Sequence, residues 1–275
     1  MSRRILTVVL GAAAIACAAV PVAAGDGGGP SPGLAWGGSG IASPDGQIHY
    51  VAVQGRNETI VEAVGTRGSV RTYASLRGSY GIPYVTAGGQ VGGLSRDGRR
   101  LVVASYPGPG DATLFAVLKT GTLAVARRFR LPGSWAYDAL SPDGRTLYLI
   151  QYFQGRSTQR YLVRAYDLAR GRLYRQVVSD RREAGTMTGF PLTRTTSADG
   201  DWVYTLYVKG NGSAFVHALD AADRKAVCVD LPWRKLDTSK PVGLWLSRDG
   251  WTLHVRQIAA GRRAAIDIRT WKVTP

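Results

Sequence analysis

The tetrad Ser-x-Asp-Gly recurs five times along this chain, as Ser43-Pro44-Asp45-Gly46, Ser95-Arg96-Asp97-Gly98, Ser141-Pro142-Asp143-Gly144, Ser197-Ala198-Asp199-Gly200 and Ser247-Arg248-Asp249-Gly250. The serines stand 46 to 56 residues apart, and self-similarity at such a period marks a repeat architecture. Each tetrad has a mechanical reading. Serine bonds its own downstream backbone, aspartate tolerates the bridge region, and glycine supplies positive φ. The result is a tight hairpin between two strands. Asp45, Asp97, Asp143, Asp199 and Asp249 are therefore read as structural turn formers, not as catalysts or metal ligands.

An apolar strand follows each turn, as in Leu147-Tyr148-Leu149-Ile150 and Trp202-Val203-Tyr204-Thr205-Leu206. Seven residues after each Ser stand Tyr50, Val102, Tyr148, Tyr204 and His254. These strands are apolar on both faces in most copies, which suits a sheet packed between neighbouring sheets. A third strand comes next, ending in aspartate in the later copies: Asp167, Asp220 and Asp267. A more polar fourth strand fits an outer edge. Four antiparallel strands per unit, repeated radially, predict an all-β fold: a β-propeller of about five four-stranded blades. The run Leu140-Ser141-Pro142-Asp143-Gly144-Arg145-Thr146-Leu147-Tyr148-Leu149, with Ala165-Tyr166-Asp167-Leu168 and Gly171-Arg172-Leu173, resembles bacterial propeller repeats of the TolB-like, YVTN and WD-repeat-like kind. The resemblance spans roughly residues 34–275 and implies an architecture, not a function. The last unit ends at Thr270-Trp271-Lys272-Val273-Thr274-Pro275. That is short for a fourth strand, so a three-stranded last blade is expected, with the segment before Trp36 as the candidate to complete it.

Three regions are expected: a signal peptide over 1–24, a flexible Gly/Pro linker over 25–33, and the propeller over 34–275. Ser2-Arg3-Arg4 is a positive n-region, Ile5 to Val22 is apolar, and Val22-Ala23-Ala24 offers small residues for cleavage. Export to the cell envelope or beyond follows. A membrane link would come only through the uncleaved segment or a lipid on Cys17, whose preceding Ala14-Ile15-Ala16 loosely resembles a lipobox. After cleavage Cys228 is the one cysteine left, so no internal disulfide can form. It is read as a small buried hydrophobe.

The formal charge is +16, from 35 basic and 19 acidic residues. The basic residues are scattered in short runs, such as Arg127-Arg128-Phe129-Arg130. That is a solvated surface rather than a nucleic-acid groove, and no nucleic acid partner is expected. Functional residues of a propeller are sought on the innermost strands, just before the turns. Those strands contribute Trp36, Gln90, Trp135, Tyr137, Asp138, Arg194 and Trp245. Aromatics with one carboxylate and one guanidinium would cradle a sugar or peptide at the channel mouth, or else pack between blades and line a wet channel. Glycosidase chemistry needs paired carboxylates, and the inner strands supply only Asp138. His49, His217 and His254 lie in different units, without the clustering a metal needs. No catalytic set, metal or cofactor is expected. The expected function is an exported, monomeric binding or protein-interaction scaffold for a protein or polysaccharide. The alternative is a hydrolase or lyase acting on a carbohydrate or lactone at the channel mouth.

Overall fold

The five hairpins form with one shared set of hydrogen bonds. The computed structural model describes residues 33–107, 112–153, 160–182 and 186–275. The signal segment 1–24, Cys17 and the linker up to residue 32 lie outside the described residues. In every tetrad the Ser Oγ donates to the Asp Oδ1 over 2.5–2.7 Å. The same hydroxyl accepts the N–H five residues on at 2.9–3.0 Å. The Asp Oδ1 accepts the N–H just past the glycine. Each glycine has φ between 65° and 83°. The Ser hydroxyl is the main cause holding the Asp45, Asp199 and Asp249 carboxyls below their ordinary range. At Asp97 and Asp143 burial pushes upward, and the serine and backbone bonds outweigh it.

The strands follow in order. β1 (Leu34–Ala35) precedes the first blade, β2 (Ile41–Ala42), β3 (Ile48–Gln54), β4 (Glu58–Gly65) and β5 (Val70–Arg77). β6 (Ile82–Pro83) leads to the second, β7 (Arg100–Ala104), β8 (Ala112–Lys119) and β9 (Val125–Pro132). The third blade is β10 (Ser134–Leu140), β11 (Thr146–Phe153), β12 (Arg160–Asp167) and β13 (Arg172–Val178), with β14 (Met187–Thr188) added against β12. The fourth is β15 (Phe190–Thr196), β16 (Trp202–Val208), β17 (Ala214–Asp220) and β18 (Lys225–Asp230). The fifth is β19 (Gly243–Leu246), β20 (Thr252–Gln257), β21 (Arg262–Asp267) and β22 (Lys272–Thr274). Within each blade, neighbours in this order pair antiparallel. The chain is a β-propeller.

Two expectations are corrected. The fifth blade has its own fourth strand: the three residues of β22 pair with Ala265, Ile266 and Asp267 of β21. The segment before Trp36 does not complete that blade; β1 pairs instead with β6. The second blade departs the other way. Its inner position holds no regular strand, because Gly88, Gly89, Gly92 and Gly93 occupy the stretch and glycine weakens a ladder. What remains against β7 includes Gly81↔Ala104 and Leu94↔Leu101 bridges and the Val102 N–H donated to the Gly93 carbonyl. Freed from its own sheet, this segment reaches the fourth blade, where the Ala87 N–H donates to the Pro191 carbonyl at 2.8 Å.

Apolar cores fill four seams between consecutive blades. Tyr50, Val61 and Leu101 pack between blades one and two. Val102, Phe115, Leu147 and Tyr166 fill the next seam. Tyr148, Val163, Val203 and Leu219 lie between three and four, and Leu206, Val216, Leu253 and Ile266 between four and five. Among the described residues no core cluster joins blade five to blade one. The burial on both faces expected of the strand after each turn holds for β7, β11 and β16 and for the middle of β3, but not for β20, where buried and part-exposed positions alternate. Among the described residues the end blades are packed on one face only.

Candidate functional site

The inner strand β10 brings Asp138 to the axis, and β15 brings Arg194 to it. The side chains form an ion pair through Asp138 Oδ1 and Arg194 Nη2, at 2% and 7% exposure. Arg194 also donates through Nη1 to the Asp138 carbonyl and through Nε to Thr205 Oγ1, the latter at 2.8 Å. A guanidinium with this many acceptors is fixed in orientation. The other carboxylate oxygen, Asp138 Oδ2, is buried with no hydrogen-bond partner among the described residues. Such an orphan acceptor is costly unless something binds it.

A cavity of about 260 Å³ opens here at the turn end of the axis. Its wall includes Gln90, Arg96, Tyr137, Asp138, Arg194 and Thr196. Arg96, on the exposed second-blade turn, lays its stem over Gly200 of the fourth-blade turn. A Cβ there would come within 2.4 Å of Arg96 Cδ. Tyr137 closes one side, its phenol pushed up to about 12 by burial, so it acts as a neutral hydroxyl.

Of the residues picked out by sequence, the structure gathers Gln90, Tyr137, Asp138 and Arg194. The other three are elsewhere. Trp36 donates its Nε1–H to the Tyr80 carbonyl at 2.7 Å and packs at the first seam, because β1 runs to β6. Trp135 is buried in the core between blades two and three and donates to the Pro132 carbonyl at 2.7 Å. Trp245, 42% exposed, stacks on His254 at 5.4 Å on the uncovered side of blade five. Sequence reasoning missed Arg96 and Thr196, which lie inside or against the turns and read there as turn residues.

It also missed a polar row through the fourth blade. Arg194, Thr205, His217 and Cys228 are cross-strand partners in successive strands β15 to β18. The row starts at Asp138. At its far end the Cys228 N–H donates to Asp180 Oδ2 at 2.9 Å, and Cys228 Sγ lies 3.6 Å from His217 Nδ1. Cys228 is thus partly exposed beside a histidine, rather than a plain buried hydrophobe. The detectable signal was a polar residue in register on all four strands of an otherwise apolar blade. His217 is buried, its Nε2 without a partner among the described residues, and burial pushes its imidazole below the ordinary value of 6.5.

This sets a pH dependence. Below about pH 6.5 the unfolded chain takes up a proton at His217 that the fold refuses, so stability falls as pH drops through that point. The tetrad carboxyls act lower down: their lowered values stabilise the fold above about pH 4, and that contribution is lost as pH falls through the folded-state values. Urea unfolding from pH 8 to pH 3 is expected to show two declines. His217→Gln should flatten the upper one only.

Among the described residues no group of three or more His, Cys, Asp or Glu is placed to hold a metal ion. No family model matches the chain, and no curated protein resembles it significantly. Solved structures do. The Cps50 (Swd1) β-propeller domain of Myceliophteria thermophila is 15% identical, with 86% of this chain and 70% of that one covered, at a TM-score of 0.49. The periplasmic gluconolactonase PpgL of Pseudomonas aeruginosa is 20% identical over 84% of this chain and 69% of that one, at 0.46. The likeness is one of fold.

Proposed function

We propose that the axial cavity binds a small, hydroxyl-rich molecule of the carbohydrate class, free or as the end of a polysaccharide, and that the chain is an exported binding module. The observation carrying this is Asp138, which lines the cavity with Gln90, Arg96 and Thr196 and has one buried carboxylate oxygen, Oδ2, without a partner among the described residues. A ligand hydroxyl supplies the missing donor, while Arg194 holds the carboxylate still. Export rests on the apolar segment 5–22 and its flanks.

The second reading is hydrolysis or lysis of a carbohydrate or lactone in the same cavity. The same free carboxylate oxygen favours it, as a base positioned to take a proton from water. Among the described residues the cavity wall holds a single carboxylate, Asp138, which suits binding better than acid–base chemistry that needs a pair.

The test is a thermal-shift and calorimetric screen of sugars, aldonic acids and sugar lactones, with lactone consumption followed in parallel. A binder is expected to raise the unfolding midpoint. Its affinity should fall roughly 10- to 100-fold in Arg96→Ala, the worth of one hydrogen bond to a charged group. Lactone turnover abolished by Asp138→Asn would replace the binding reading with the hydrolytic one. Absence of any hit, or affinity unchanged in Arg96→Ala, would remove the cavity as the site.

A further inference from the structure

The uncovered faces of the two end blades are not alike. On blade one, β4 turns Thr59, Val61 and Ala63 into the first seam and leaves Glu58, Ile60, Glu62 and Val64 on the open side. Cross-strand pairing extends that open face: Val53 lies beside Ile60, the buried Val51 and the exposed Tyr73 flank Glu62, Arg77 lies opposite Glu58, and His49 lies beside Val64. Tyr73 is 68% exposed. Glu58 and Glu62 both stand on this face in a chain of net charge +16. Glu58 accepts from Ser75. No hydrogen bond or ion pair engages Glu62 among the described residues.

On blade five, β20 and β21 turn Leu253, Val255, Ala264 and Ile266 into the fourth seam. The open side carries Trp245 stacked on His254, with Arg256 directly opposite Arg263. Both arginines lack an ion-pair partner among the described residues. Like charges directly opposed across strands repel. A carboxylate set between them turns that repulsion into attraction.

From these two faces we infer that the first blade of one copy packs on the last blade of another, so the chain associates head to tail in place of the monomer expected from sequence. The contact repeats the sheet-on-sheet packing that each chain already makes at four seams. Glu62 faces Arg256 and Arg263, and Val53, Ile60 and Tyr73 cover Trp245. The two surfaces differ, so the interface is heterologous and can add copies until a ring closes.

Sedimentation velocity on the purified chain, from roughly 1 to 100 μM, tests it. The mean mass is expected to rise with concentration and to fall in high salt. Glu62→Arg and the double variant Arg256→Glu/Arg263→Glu should each be monomeric, with thermal midpoints equal to the parent at low concentration. An equimolar mixture of the two should associate again, because each restores the opposite charge to the other. A parent chain monomeric throughout overturns the inference, as does association undiminished in either variant or a mixture that stays monomeric. Assembly only after an acidic polymer is added would assign the arginines to that polymer and overturn it too.

Discussion

Replacing Arg194 with Met is expected to lower the thermal midpoint by roughly 10–15 °C, because removing one member of a buried pair strands the other and costs about 3–5 kcal/mol. Asp138 is 2% exposed and already has one oxygen without a donor. Without Arg194 the other oxygen, Oδ1, and the backbone carbonyl lose this donor as well. The double variant Asp138→Leu/Arg194→Met should recover most of the loss, since removing both charges leaves nothing buried and unpaired. Differential scanning calorimetry of the two variants and the parent closes the cycle. A loss under about 1 kcal/mol in Arg194→Met would mean that the pair is solvated like a surface one, and the cavity would lose its fixed carboxylate.

Gly93→Ala is the second large effect. Gly93 has φ +103°, and an added Cβ would sit 2.5 Å from the Val102 carbonyl oxygen, which is backbone and cannot turn aside. Backbone strain and overpacking each cost about 1–3 kcal/mol, so a drop on the order of 10 °C is expected. The damage should extend past stability. Gly93 accepts the Val102 N–H that anchors the inner segment of blade two, and Gly92 and Gly93 line the cavity. Amide hydrogen exchange is expected to speed up over residues 84–102 first. Equal exchange in variant and parent there would show that the segment is held by its bond to blade four instead.

The architecture was legible because its signal is local and repeated. Each Ser-x-Asp-Gly carries its whole hydrogen-bond set within six residues, so the sequence names the turn, the register and the strand that follows. Blade two was harder to read, because its glycine-rich inner segment breaks the rule that strands precede tetrads. Its partner, Pro191, lies about a hundred residues on. The site was legible in part for the same reason. Asp138 and Arg194 stand on inner strands that directly precede their tetrads, Asp138 at a bulge of β10, whereas Trp36 and Trp245 were placed by a ring symmetry that the end blades do not obey. The row Arg194, Thr205, His217 and Cys228 required four strands in register before its members could be seen as neighbours.

The clip between β1 and β6 has a consequence for how the first blade survives with only one face packed among the described residues. Gly33 accepts from the Tyr84 N–H, Trp36 donates to the Tyr80 carbonyl, and Leu34 and Ala35 pair with Pro83 and Ile82. These bonds join two points about fifty residues apart and so tie the whole first blade into a closed loop. Holding such a loop shut opposes chain entropy that grows only with the logarithm of its length, so a few backbone bonds suffice. With Cys228 the one cysteine among the described residues, this clip does by hydrogen bonding what other small domains do with a disulfide, and unlike a disulfide it is indifferent to redox conditions.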